Sequence, residues 1–155
     1  MRLRPPCEGD SRLNRTWRND PVSTDNFRNG DPISWQAHEA WLHAALADPD
    51  KIIFIGQIDN IPIGIIRFDL IDGPVFDVSI NRGPERRGQG LGAQLLAAAC
   101  ETIERGGRAV PLHATVRLGN IASRRVFQQC GFVEREIDGA FVSYWRDVVG
   151  RNQEC

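Results

Sequence analysis

Residues 75–92 read VFDVSINRGPERRGQGLG, and the fold turns on how they are read. The first half alternates. Phe76, Val78 and Ile80 point one way, and Asp77, Ser79 and Asn81 the other, the period of a half-buried strand. The second half, Arg87-Gly88-Gln89-Gly90-Leu91-Gly92, is a glycine-rich turn that opens a helix. In that helix Leu91, Leu95, Ala99 and Ile103 form an inner stripe. Glycines let the backbone approach an anion with no Cβ in the way. The first helical turn adds unpaired N–H groups and a positive dipole end. Together they form a cradle for a pyrophosphate, and Arg86 and Arg87 add charge beside it. A strand-to-helix turn with no ligand is the plain alternative. A dinucleotide fold is another, since Gly88, Gly90 and Ala93 satisfy GxGxxA. That fold wants an acidic residue at the end of the next strand, and AVPLHATV (Ala109–Val116) has none. A Walker loop is excluded because no GK[ST] follows.

The pattern extends in both directions. Gly106-Gly107 ends the helix and Ala109–Val116 reads as a strand, so strand, helix and strand make a right-handed crossover with parallel strands. Asn120 caps a short helix with Ala122, Ser123, Val126, Phe127 and Cys130 inward. Gly131 sits at its left-handed end, and Phe132 packs back on the last turn. Phe132–Ile137 and Ala140–Asp147 form a hairpin about Asp138-Gly139. Upstream, Lys51–Ile58 and Pro62–Leu70 pair about Asp59-Asn60, and Asp72-Gly73 leads into Val75–Asn81. Met1–Pro5 is a strand, Ser11–Asn19 a short helix, and Val22–Pro32 a loop. Ser34 caps a helix through Ala47. The expected architecture is a mixed sheet with helices on both faces, in one domain over residues 1–150 with a tail at 151–155.

Composition narrows the partners. The 155 residues carry 19 basic and 20 acidic side chains, and a net charge of −1 argues against a nucleic-acid-binding module. Of the basic residues only Lys51 is a lysine, so a lysine base is improbable. The N-terminus MRLRPPCEGD has no apolar core of a signal peptide, and no apolar run is long enough to span a bilayer. A cytoplasmic protein with no membrane partner is expected. Cys7, Cys100, Cys130 and Cys155 show no metal-ligand spacing, so no metal is expected.

Arg87-x-x-Gly90-x-Gly92 resembles the acyl-CoA pyrophosphate loop of the GNAT N-acetyltransferases, [QR]-x-x-G-x-[GA]. Asn120-x-x-Ser123-x-x-x-Phe127-x-x-x-Gly131-Phe132 resembles that family's N-x-x-[AS]-x-x-x-Y-x-x-x-G-F signature. The resemblance spans nearly the whole chain. It implies an α+β GNAT fold, a mostly antiparallel central sheet of six to seven strands flanked by about four helices. It also implies acetyl-CoA as co-substrate and a small amine as partner, and it allows for a homodimer. The strand end Val78–Arg82, with Val78, Ile80 and Arg82, would splay and pair with pantetheine. Backbone N–H groups of Arg87, Gly88, Gln89, Gly90, Leu91 and Gly92 would hold the pyrophosphate. Asn120, Ser123 and Phe127 would also contact the coenzyme, and Arg124 and Arg125 are candidates for its 3′-phosphate.

The implied chemistry is attack of an amine on a thioester. Ser79 and Asp77 are the candidate bases, for close contact and for a water relay respectively, and Asn81 faces the substrate. The usual tyrosine acid is replaced by Phe127, and the only tyrosine, Tyr144, is the alternative catalytic group. His113 reads as structural. The N-terminal half has a closer likeness. Trp17-Arg18-Asn19-Asp20-Pro21, Pro32-Ile33-Ser34-x-x-x-His38-x-x-Trp41-Leu42 and Pro62-Ile63-Gly64-x-x-Arg67-Phe68 resemble pseudaminic-acid pathway N-acetyltransferases. Those enzymes acetylate the 4-amino group of a UDP-linked 4-amino-4,6-dideoxy sugar. The likeness implies that Arg18 and His38 bind the nucleotide sugar. Acetylation of a protein N-terminus or another small amine, and a catalytically silent acyl-CoA-binding module, are the rival readings.

Overall fold

The computed structural model describes residues 1–20, 34–108 and 110–147. The expected loop Val22–Pro32 and the tail 151–155 lie outside them. Among the described residues seven strands form one sheet in the order β1-β2-β3-β4-β5-β7-β6. The strands are β1 (Arg2–Arg4), β2 (Lys51–Ile58), β3 (Ile61–Ile71), β4 (Val75–Arg82), β5 (Leu112–Arg117), β6 (Val133–Asp138) and β7 (Phe141–Arg146). The helices are α1 (Ser11–Arg18), α2 (Trp35–Ala47), α3 (Leu91–Arg105) and α4 (Ile121–Gln129). All strand pairs are antiparallel except β4 with β5. No described helix is long and apolar enough to cross a membrane.

Local chemistry sets the boundaries. The Ser34 hydroxyl accepts the Ala37 N–H at 3.1 Å and starts α2. Asp59 and Asn60 adopt φ of 52° and 63°, the left-handed pair that closes a tight hairpin. Gly131, at φ 82°, ends α4, and Phe132 meets the Phe127 ring edge-on at 5.1 Å. Most element ends move by one residue from the expected bounds, and two larger differences stand out. Ala109, the expected start of β5, lies outside the described residues; β5 runs from Leu112, because Pro111 has no N–H and joins the ladder only through its carbonyl, which accepts the Phe76 N–H at 3.0 Å. Ala122 is exposed, because the inner stripe of α4 runs through Val126 and Phe127.

The sheet alternation divides the core. Ile66, Phe68, Phe76, Val78, Leu112, Ala114 and Tyr144 face α3 and α4. Ile53, Ile55 and Ile65 face α1 and α2, where Trp17 and Ala45 cover them. Helix α3 comes close because Gly56 and Gly64 lie opposite each other under Leu95. At the start of α1, Arg4 donates two 2.7 Å bonds to the Asp10 carboxylate, which also accepts the Cys7 N–H at 2.8 Å. The Arg4 fork holds the Asp10 carboxyl below its usual range.

Two stability predictions follow from this packing. A Cβ at Gly64 would lie 2.9 Å from the Asn81 backbone oxygen and 2.9 Å from Leu95 Cδ2, so Gly64→Ala should cost about 1–3 kcal/mol in urea unfolding. Asp10→Asn should cost about 1.5–3 kcal/mol at neutral pH. Because the folded-state pKa of Asp10 is lowered, that difference should persist above about pH 4 and fade as the pH falls through the lowered value.

Candidate active site

β4 is paired along its whole length with β3, but with β5 only at Phe76↔Leu112 and Asp77↔His113. Beyond that point β5 continues with β7 as far as Arg117, and β4 continues with β3 as far as Arg82. Residues 78–82 therefore turn an edge toward β5 that has no strand partner there. This is the splay expected at Val78–Arg82. An edge with no strand partner can take backbone hydrogen bonds from an extended ligand laid along it.

The glycine loop lies at the outer end of this gap. Pro84–Arg86 form one 3₁₀ turn, Arg87 is extended, and Gly88 and Gly90 take φ of 77° and 70°. Gly90 is the N-cap of α3 and offers no side chain to the first-turn N–H groups. A Cβ at Gly88 or Gly90 would meet nothing within 4 Å, so the surface above the loop is open. Gly88, Gln89 and Gly90 are exposed, while Leu91 and Gly92 are buried. The Gln89 side-chain amide donates to the Glu85 carbonyl at 3.3 Å and so bridges the turn before the loop. Arg82 lies against Gly92, with Nη1 2.7 Å from where a Cβ would stand. Burial, followed by the charge of Arg87, pushes the Arg82 pKa down. A partly buried cation beside open helix-terminal donors suits a diphosphate. The Arg87 side chain itself reaches Asp20 at 2.8 Å and ties the loop to the end of α1.

Asp77, Ser79 and Asn81 share the face covered by α1 and α2, as the alternation requires. Asp77 Oδ1 lies 3.0 Å from His113 Nδ1, and the His113 ring packs on Trp145 with centroids 4.6 Å apart. Arg67 Nη2 approaches the Ser79 hydroxyl at 3.5 Å while its Nε donates to Asp69 at 2.8 Å. The Arg67 guanidinium also stacks on Trp41 at 5.1 Å. His38 is 2% exposed, its ring meets Trp41 edge-on at 5.6 Å, and among the described residues its Nδ1 has no hydrogen-bond partner. Burial lowers its pKa, with Arg15 and Arg18 adding to the effect, so it is held neutral. Burial also lowers the pKa of Arg18.

Other expected site residues stand apart from this group. Tyr144 is fully buried on the opposite face of the sheet. Its hydroxyl accepts from Arg124 Nε at 3.1 Å and donates to Glu134 at 3.4 Å. Phe127 is 2% exposed and stacks on Tyr144 with centroids 6.0 Å apart. Arg124 also donates to the Leu118 carbonyl and to Glu134, both at 3.1 Å, so its fork ties α4 to the β6–β7 hairpin. It is thus committed to the fold rather than held out for a phosphate. The Asn120 side chain accepts the Ser123 N–H at 3.2 Å and caps α4, with Ser123 half-buried beside it. His113 is the residue that the motifs did not single out. Its strand periodicity was visible, but its partner stands 36 positions away across a parallel register.

Comparisons with known proteins bear on the family and the fold. The family model described as an acetyltransferase (GNAT) domain matches residues 1–133. No curated protein matches the chain in sequence. Similar solved structures include spermidine N-acetyltransferase from Vibrio cholerae in complex with CoA and spermine, 18% identical, with a TM-score of 0.82 over 94% of each chain. Ribosomal-protein-alanine N-acetyltransferase from Brucella melitensis is 18% identical, with a TM-score of 0.80 over 96% of this chain and 100% of that one. Aminoglycoside acetyltransferase AAC(6')-Ib in complex with ribostamycin and coenzyme A is 17% identical, with a TM-score of 0.82 over 97% of this chain and 96% of that one. With that domain matched over most of its length, the chain belongs to the GNAT acetyltransferases, enzymes that carry an acyl group from coenzyme A to an amine.

Proposed function

We propose that the chain acetylates the 4-amino group of a UDP-linked 4-amino-4,6-dideoxy sugar. The observation that carries this reading is the cationic setting of His38. Arg15 and Arg18 of α1 both act on its ring, opposed by the smaller effect of Glu39 on α2, and α1 (SRLNRTWR) contains no acidic residue. Such a surface suits a diphosphate-bearing acceptor better than a polycation. It also brings two of the three N-terminal motifs together, since Arg18 and His38 belong to different segments of the chain.

Acetyl-CoA supplies an activated acyl carbonyl and a thiol leaving group. Backbone N–H groups of residues 87–92 and the Arg82 guanidinium would hold its diphosphate. The open edge at Val78 and Ile80 would pair with its amide-bearing arm, and Asn120 and Ser123 at the start of α4 would border it. An N–H of the β4 edge is available to the carbonyl oxygen as charge grows on it. A thiol has an unperturbed pKa of about 8.5, so its sulfur leaves without a strong acid. Phe127 in place of a tyrosine is consistent with that. Arg18 would pair with the diphosphate of the acceptor, and the neutral His38 would present its Nδ1 as a polar contact. Ser79 and Asn81 line the face between the two ligands.

Mass spectrometry of a reaction with the UDP-4-amino sugar and acetyl-CoA should show one added acetyl group on the sugar. A panel in which N-terminal peptides or spermidine react and the UDP-sugar does not would replace the acceptor. Binding of acetyl-CoA with no thiol release for any amine would leave a silent acyl-CoA-binding module. Gly90→Ala forces a non-glycine residue into a left-handed conformation, at about 1–2 kcal/mol, and should weaken acetyl-CoA binding about tenfold by calorimetry. Arg18→Ala should raise the KM for the UDP-sugar roughly 10-fold or more, the worth of one charge-assisted hydrogen bond, and leave acetyl-CoA affinity unchanged.

A further inference from the structure

We propose that His113 takes the proton from the attacking amine and that Asp77 is its positioning residue. This rests on the N-acetyltransferase reading above. Asp77↔His113 is the last pair before β4 and β5 part, so the two side chains stand at the inner apex of the gap. The glycine loop stands at the outer end, beyond Arg82. A ligand anchored by its phosphates at the loop and laid along residues 78–82 brings its far end to that apex.

The pair is arranged for proton transfer. An ionised carboxylate only accepts hydrogen bonds, so in the neutral imidazole the 3.0 Å contact puts the proton on Nδ1 and the lone pair on Nε2. The same relation, a carboxylate fixing the tautomer of a working histidine, operates in hydrolase triads. Trp145 packs on the ring and limits its rotation. The His113 side chain is 18% exposed, so it is supported yet reachable. The other candidates are weaker acceptors. The Ser79 hydroxyl sits beside the Arg67 guanidinium, and Asp77 is already engaged by His113.

Among the described residues, the charges facing the pair come from three neighbouring strands. Asp69 of β3 lies opposite Asp77 in register and is balanced by Lys51 of β2 at 3.0 Å and by Arg67. Arg135 of β6 stacks on Trp145 at 5.5 Å. In the step, Nε2 accepts one proton from the acceptor nitrogen. The nitrogen lone pair forms the N–C bond to the acyl carbon of the thioester, the C–S bond breaks, and its electron pair leaves on sulfur. The imidazolium then returns the proton to the thiolate directly or to solvent, and neutral His113 is restored.

The test compares His113→Gln and Asp77→Asn with the wild-type protein. His113→Gln should lower kcat by roughly 10²- to 10⁴-fold, remove the acidic limb of the pH–rate profile, and leave acetyl-CoA binding by calorimetry within twofold. Nitrogen-15 NMR of the free protein should show His113 with a protonated Nδ1 and a bare Nε2, its signals assigned by their loss in His113→Gln. Asp77→Asn should abolish that tautomer preference and lower kcat with little change in KM. A His113→Gln enzyme that keeps its rate within twofold, or a wild-type ring protonated on Nε2, overturns the assignment while the acetyltransferase reading stands. A wild-type protein that binds acetyl-CoA and acetylates no amine overturns both.

Discussion

Two residue pairs join β4 to β5, and then the strands part. Each strand is satisfied on its other side, β4 by β3 and β5 by β7, so the gap does not unravel the sheet. On the β5 side residues 78–82 have no strand partner, so an extended ligand laid along them can add its own hydrogen bonds. The glycine loop, the open start of α3 and the partly buried Arg82 all stand at the mouth of that gap. Asp77 and His113 stand at its apex. A sheet paired without interruption would keep the same elements and lose the relation between these two ends.

The sheet also separates two kinds of chemistry. One face carries Phe76, Val78, Leu112, Ala114 and Tyr144 into the core under α3 and α4. The other carries Asp77, Ser79 and His113, with Asp69 and Arg67 beside them and α1 and α2 above. The separation explains the fate of Tyr144. Its ring fills the space beside Phe127, and its hydroxyl needs Arg124 and Glu134 because a buried hydroxyl without a partner is costly. Arg124 is in turn drawn into the core-side network.

Much of the architecture was legible in the chain. The Ser34 cap, the Asp59-Asn60 hairpin and the Gly131 helix end each rest on the conformational preferences of one or two residues, and such local preferences survive folding. The glycine loop was readable for the same reason. The start of β5 and the exposed face of Ala122 were not legible, because a missing proline N–H decided the one and packing the other. The roles of His113 and Arg124 were hidden for a different reason. Their partners lie 36 and 20 or fewer positions away, on strands whose register no local signal specifies.

By itself, the sequence determined the order of strands and helices, the phosphate-suited loop, the polar face of β4 and the membership that these motifs announce. Periodicity, caps and glycines act over a few residues, so they can be read along the chain. Only the tertiary structure decided where β4 leaves β5, that Asp77 meets His113 at that point, and that Arg82 rather than Arg124 lies against the loop. Those facts depend on which distant segments pack together, and packing is set by the summed burial of whole faces rather than by any single stretch.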